Sequence, residues 1–397
     1  MKCSPVSFDV NLRPEGFVVD LDSLFAALSE LEDHRDARGL RYALVTTLVL
    51  IVLAKLCGQD HLRGMAQWVA LRKEVLAQML GLEKSQASHA STYSRILKKA
   101  IGIEAFERMV SQFFEEQPKT GQDVLLNLDG KTMRATIPAG ETKGVHLLAA
   151  YFPEDGWVLL QVEVGSRENE IPAALRIVKQ MNLQGKIVTG DALLAQRELS
   201  TEIVEAGGDY VWTVKGNQGQ LKQDIQFLFE EEASSGGTSL YQKDFQTVTT
   251  INKGHGRLER RTLTSSSLLQ SEYLDWPYAH QVFQLERHFM RMVDGKETRT
   301  VSYGVTSLTR QEADAERLLQ LNRGHWGIEN KLHYRRDDTL REDRCRLKGQ
   351  AAQVMAGLNN LVLGLLRNKR FQTLPDARRY YAANLPEAVA LILRSPC

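Results

Sequence analysis

The chain has 397 residues, 43% hydrophobic and 25% charged, which excludes disordered and fibrous classes and leaves room for two or three domains. Lys and Arg total 50 against 49 Asp and Glu, a net charge of +1, so bulk charge alone does not mark a nucleic-acid binder. The four cysteines, Cys3, Cys57, Cys345 and Cys397, form no C-x-x-C pair, which excludes a zinc ribbon or thioredoxin motif and fits a reducing cytoplasm.

Residues 1–19 read as irregular, with Pro5, Pro14 and Gly16 and no apolar signal-peptide core. A helical pattern follows to about residue 117. Asp20 or Asp22 is placed to cap a helix over Leu21–Leu31. The apolar run Ala43–Cys57 spans 15 residues and contains Thr46, Thr47 and Lys55. A bilayer needs about 20, so the run predicts a buried helix and no membrane span. Ser88–Lys99 predicts a short helix with Ser or Thr caps and basic residues on one side. Its position after a helix and a turn suits a helix-turn-helix recognition role or an ordinary surface helix. Residues 1–120 carry 15 basic and 15 acidic side chains, so charge does not decide between them.

Pro118-Lys-Thr-Gly121 is a composition break, and the pattern then changes to strands. Strands are predicted at Asp123–Leu128, Val145–Phe152 and Trp157–Val164, then a helix over Glu170–Met181, a strand at Gly185–Thr189, a helix at Arg197–Ala206 and a strand at Asp209–Val214. Three tightly linked strands form an antiparallel meander, and the later strands alternate with helices as parallel crossovers require. That order is the ribonuclease H topology, an α/β (α+β) mixed sheet covered by helices. A helix over Gln220–Glu231 and four β-rich segments, Phe245–Ile251, Leu258–Thr264, Gln281–Met292 and Thr298–Val305, predict an inserted β subdomain. Helical character returns from Arg310 to about Arg341, then at 348–368 and 386–394. The expected organisation is a helical N-terminal domain for DNA binding or assembly at 1–117, a core first part at 122–218, a β-rich insertion at 219–307 and a core second part at 308–397.

Asp129 and Asp191 each directly follow an apolar strand, in Leu125-Leu-Asn-Leu-Asp-Gly-Lys131 and Ile187-Val-Thr-Gly-Asp191. Ligands in open α/β sheets gather at the carboxyl ends of strands. The first and fourth strands of this topology are parallel neighbours, so the two carboxylates are expected a few ångströms apart. Carboxylates that close repel unless a cation lies between them, and oxygen ligands with open water positions suit Mg²⁺ or Mn²⁺. A third carboxylate is expected from Glu329, because His325, Glu329, His333 and Arg336 lie near one helical face. A zinc site on His325 and His333 lacks a third nitrogen or sulfur ligand.

At these residues the sequence resembles the H-repeat-associated ISAs-one family of insertion-sequence transposases, a branch of the DDE transposases. Leu31–Arg41 resembles that family's leader segment, Leu128-Asp-Gly-Lys-Thr-Met-Arg134 its first catalytic block, and Glu168–Ala173 with Gly190–Arg197 its second. Asp209–Gln218, His325-Trp-Gly-Ile-Glu-Asn330 and Arg341-Glu-Asp343 complete the order. The resemblance implies that Asp129, Asp191 and Glu329 form a metal-binding catalytic triad, with the β-rich insertion lying between the second Asp and the Glu. The broader group's Tyr, Arg, Glu and Lys positions here read Asn322, His325, Glu329 and Arg336, so the Glu alone is identical.

The function expected is metal-dependent cleavage at element ends and strand transfer into target DNA, with Mg²⁺ as cofactor and Mn²⁺ as a substitute. The alternatives are a regulatory or domesticated DNA-binding protein of transposase origin and a plain ribonuclease H-like nuclease. Expected partners are double-stranded DNA, as terminal inverted repeats and target, and a second copy of the chain, in a nucleoid-associated cytoplasmic setting. DNA contacts are expected from Lys131, Arg134, Lys215, Asn217, His255, Arg257, His325, Asn330 and Arg336, with Trp276 stacking on an extruded base or packing in a core. The charge distribution agrees with local contact. Residues 323–397 hold 14 basic and 7 acidic side chains, a net of +7, whereas residues 1–322 carry a net of −6.

Overall fold

The computed structural model describes residue 20 and residues 22–36, 40–115, 124–154, 156–234, 242–254, 256–367 and 371–394. The expected composition break at 118–121, His255, Cys3 and Cys397 lie outside the described residues. Six helices come first: α1 (Leu24–Ser29), α2 (Leu44–Leu56), α3 (Leu62–Ala70), α4 (Lys73–Met79), α5 (Ala90–Lys99) and α6 (Ile103–Glu115). Ser23 caps α1, accepting from the Ala26 N–H at 3.2 Å, so the cap is neither Asp20 nor Asp22. A serine one step from the helix satisfies one of its orphan N–H groups. Likewise His89, not Ser or Thr, caps α5. The apolar α2 is buried around almost its whole circumference, packed by α1, α3 and later helices. Among the described residues no helix is long and apolar enough to cross a membrane.

The core follows as β1 (Val124–Thr132), β2 (His146–Phe152), β3 (Trp157–Glu163), α7 (Glu170–Val178), β4 (Lys186–Gly190), α8 (Arg197–Glu205), β5 (Asp209–Val214) and α9 (Gly219–Ser234). Four long strands come next: β6 (Gln246–Gly254), β7 (Arg257–Ser266), β8 (Gln281–Arg291) and β9 (Glu297–Thr306). The chain ends in α10 (Ala315–His325), α11 (Gln350–Leu366), α12 (Leu374–Ala383) and α13 (Leu385–Leu393).

One nine-stranded sheet runs in the order β3-β2-β1-β4-β5-β9-β8-β7-β6. The first five positions are the expected ribonuclease H arrangement, with β1 antiparallel to β2 and parallel to β4. β9 pairs antiparallel with β5, Trp212 opposite Val305, so the β-rich segment prolongs the core sheet. The α7 side chain Glu170 meets the face of β1 that carries Gly130, while α10 meets the face that carries Asn127 and Asp129. A separate apolar cluster seats α10 there: Leu125, Ile187 and Val211, one from each of three adjacent strands, pack with Leu318, Leu319 and Leu321. Each such buried side chain is worth about 1.5–3 kcal/mol. Gly324 lets the helix come this close, since a Cβ there would lie 2.3 Å from Leu125 Cδ2.

The predicted helix over 310–341 is split. Asp314 caps α10, and beyond His325 the chain widens into π-helical turns at Glu329–His333 and Arg335–Thr339. α12 lies in a stretch for which the sequence pattern predicts no element.

Candidate active site

β1 does not stop before Asp129, as the apolar run suggests, but continues to Thr132. Asp129 is therefore a strand residue, paired opposite Ala149. Asp191 stands at the end of β4, where its side chain accepts from the Leu193 N–H at 2.8 Å. The β1–β4 register aligns Leu128 with Gly190, which makes Asp129 and Asp191 adjacent positions on parallel strands. Glu329 opens the first π-helical turn, a geometry that recurs at functional sites because the wider turn re-aims side chains.

A cavity of about 490 Å³ is lined by all three carboxylates together with Lys215, His325 and Trp326. Asp191, Glu329 and Lys215 are exposed and Asp129 is partly so. The His325 imidazole is held below the usual histidine range, because burial outweighs the pull of Asp129, Asp191 and Glu329 in the opposite direction.

Buried polar contacts tie the two strands to the helix end. The Asn127 amide donates to the carbonyls of Gly324 and His325 at 2.9 and 3.1 Å. The Thr189 hydroxyl donates to Asn127 Oδ1 at 2.8 Å and lies 3.3 Å from His325 Nδ1. His333 is buried with Nε2 3.3 Å from Asp129 Oδ2, within ion-pair range at an angle that makes no hydrogen bond. None of Asn127, Thr189 and the His333–Asp129 contact is a sequence expectation; a polar residue inside an apolar strand was the signal available for the first two.

Several expected DNA contacts are corrected by burial. Lys131 is buried and its ammonium pairs with Asp337, with Glu342 at 3.2 Å and with Asp343 at 3.7 Å. Arg336 is fully buried, bonded to Glu342 through Nε at 2.9 Å and to Gln161 at 2.9 Å. Trp276 is 2% exposed and packs in the core, under the Arg197 guanidinium. Cations so enclosed and so paired have no free face for phosphate. Arg134 is exposed and 3.6 Å from Asp343, Arg257 is exposed, and Asn217 donates to the Ala192 carbonyl at 2.6 Å, joining the loop after β5 to that after Asp191. Asn330 follows Glu329 in the π-helical turn.

The three carboxylates that line this solvent-open cavity are oxygen donors, the ligand type that hard divalent cations take. Among the described residues no three His, Cys, Asp or Glu side chains stand together as a group that could hold a metal ion, so the three carboxylates line the cavity without being assembled into a metal site.

The family profile described as "Transposase DDE domain" matches residues 120–363, and one described as "DDE_Tnp_1-associated" matches residues 25–114. YncI of Escherichia coli O157:H7 is 28% identical over 357 residues, covering 88% of each chain. The H repeat-associated YhhI of Escherichia coli K12 is 25% identical over 360 residues, covering 89% of this chain and 92% of that one. Both are described as candidate transposases. A piggyBac transposase, solved in a synaptic complex with hairpin DNA, aligns with 98% of this chain and 83% of its own at a TM-score of 0.45 and 11% identity. With the profile spanning well over half its length, the chain belongs to the transposase DDE domain family.

Proposed function

We propose that the chain is an active DNA transposase whose catalytic centre is Asp129, Asp191 and Glu329. The observation that carries this reading is the meeting of the three carboxylates on one cavity, from two adjacent parallel strand positions and one π-helical turn. These residues would hold Mg²⁺ or Mn²⁺, which when bound supplies an activated hydroxyl nucleophile and stabilises the leaving oxygen of an in-line displacement at phosphorus.

The chain's own groups set the geometry. Asn127 and Thr189 pin the end of α10 to β1 and β4, which fixes Glu329 relative to the two aspartates. His333 packs beside the Asp129 carboxylate and limits its rotation. His325, whose imidazole burial holds below the usual histidine range, lines the same cavity. Lys215, exposed on the cavity wall, is available to a phosphate, as are Arg134 and Arg257 nearer the surface.

The test uses the purified chain, Mg²⁺ and a DNA fragment carrying its coding region with flanking sequence, plus a supercoiled target plasmid. The expected products are nicks at the two fragment ends and 3′ ends joined to the plasmid. Nicks without joined products would assign a plain nuclease, and neither product would assign a DNA-binding protein that no longer cuts.

A further inference from the structure

The two aspartates of the site are held in different ways. Asp129 lies inside β1 and is paired across to Ala149 of β2. Asp191 lies one residue past the end of β4, at the start of the irregular stretch that leads into α8. That stretch makes one 3-10 turn, Ala192–Leu194. Two backbone bonds close it: the Leu194 N–H donates to the Asp191 carbonyl at 3.0 Å and the Ala195 N–H to that of Ala192 at 3.3 Å. The 3-10 bond geometry is poor, and a single turn fixes several dihedrals for few bonds, so its shape depends on its surroundings.

Two sets of contacts supply that support. Leu194 is fully buried and folds back onto the strand end. Gly190 permits this, since a Cβ there would lie 2.8 Å from Leu194 Cδ1 and 3.1 Å from Trp212 Cζ3. The second set consists of side-chain amides that donate into the carbonyls of the stretch. Asn217 Nδ2 donates to the Ala192 carbonyl at 2.6 Å, and Gln218 Nε2 to that of Ala195 at 3.0 Å. Gln196 Nε2 donates to the carbonyl of Leu193 at 3.0 Å, and its Oε1 accepts from Gln218 at 3.4 Å. Asn217 and Gln218 belong to Gly216–Gln218, the 3-10 turn that follows β5. Because β4 and β5 are parallel neighbours, the turns at their ends are clipped to each other.

The part of the clipped stretch that reaches the carboxylate-lined cavity is Asp191. Its Oδ1 accepts from the Leu193 N–H at 2.8 Å, so the turn sets the direction of the side chain, and among the described residues Oδ2 accepts no hydrogen bond. Groups behind a metal-ligating carboxylate orient it, and their loss typically costs about 10–100-fold in metal affinity or activity. Resting on the reading of Asp191 as one of three catalytic carboxylates, we propose that Asn217 and Gln218 are positioning residues, whose amides clip the turn after Asp191 and so fix that carboxylate for a divalent cation.

The test compares the native chain with Asn217→Leu and Gln218→Met, which keep side-chain size and remove the donor. Asn217 is exposed and Gln218 half-buried, so unchanged thermal unfolding is expected and checks the fold. The first readout is hydrogen–deuterium exchange in EDTA. Exchange at the amides of Leu193, Leu194 and Ala195 is expected to rise about three- to ten-fold, with those of β4 unchanged. The second is Mn²⁺ binding, read from the electron paramagnetic resonance of the free ion, with Asp191→Asn as the reference. Each clip variant is expected to raise the Mn²⁺ dissociation constant about ten-fold, and Asp191→Asn to raise it further. Unchanged exchange would overturn the clip and leave the triad standing. So would native Mn²⁺ affinity in the clip variants alongside a loss in Asp191→Asn. Native Mn²⁺ affinity in Asp191→Asn, or no Mn²⁺ bound by the native chain, would instead overturn the reading of Asp191 as a ligand and, with it, the role given to the clip.

Discussion

Two buried polar side chains, Asn127 and Thr189, decide where the Glu329 segment sits. Each lies on a strand that bears or leads into an aspartate of the site; the Asn127 amide donates to both carbonyls at the end of α10, and its oxygen accepts from the Thr189 hydroxyl. Replacing Asn127 with Leu leaves those carbonyls and the Thr189 hydroxyl without their partner, at about 1–3 kcal/mol per stranded group. The expected result is a loss of at least about 3 kcal/mol in urea unfolding and a drop in cleavage of more than about ten-fold, with DNA affinity unchanged. Unchanged cleavage in a folded variant would remove Asn127 from the positioning role. At this scale the sequence was readable where a residue's position on a strand end carries its meaning, as for Asp129 and Asp191. It was misread where the meaning depends on a distant partner. Lys131 sits two residues from a proposed catalytic aspartate and looks like a phosphate ligand, yet its ammonium is taken by Asp337, 206 residues away.

Between elements, β1 and the π-helical stretch are joined by a buried ionic network of Lys131, Arg336 and Glu342, completed by the Asn359 amide at 2.7 Å from Glu342. Burial alone would push the Glu342 carboxyl up. The charges of Arg336 and Lys131, with hydrogen bonds from Arg336 and Asn359, instead bring it down to about 2. A carboxylate whose folded pKa is depressed contributes stability that is fully present above its unfolded value near 4.5 and is lost as pH falls toward about 2. Glu342→Gln should therefore be less stable than the native chain by about 3–5 kcal/mol at neutral pH. The gap should close in urea titrations as pH falls through that window, and a gap independent of pH would contradict the network's ionic character. Glu107 has the opposite sign, since burial pushes it up to about 8 and its cost grows as pH rises from 4.5 to 8. The strands and the all-buried α2 were legible because apolar runs of those lengths have few alternatives. The π-helical turns were not, since a periodic pattern over 310–341 reads as one α-helix. The attachment of β9 to β5 was equally hidden, because edge pairing leaves no mark in local composition.

In the molecule as a whole, the N-terminal helices brace the proposed catalytic segment from behind. Arg378 of α12 donates to the carbonyl of Thr339, at the end of the π-helical stretch, and to that of Lys55 in α2, while pairing with Asp60 at 2.6 Å. The near-zero net charge conceals an uneven distribution along the chain: residues 323–397, which begin just before Glu329, carry a net of +7 and residues 1–322 a net of −6. The central claim is that Asp129, Asp191 and Glu329 act as one centre, and the most direct measurement is strand cleavage by Asp129→Asn, Asp191→Asn and Glu329→Gln, made singly, on DNA carrying the element's ends with Mn²⁺. Each variant is predicted to lose cleavage by at least about 1,000-fold, close to the loss in the triple variant, because groups that act as a unit are not additive, while DNA affinity stays within about two-fold. Cleavage at the native rate by any one of the three would contradict the account.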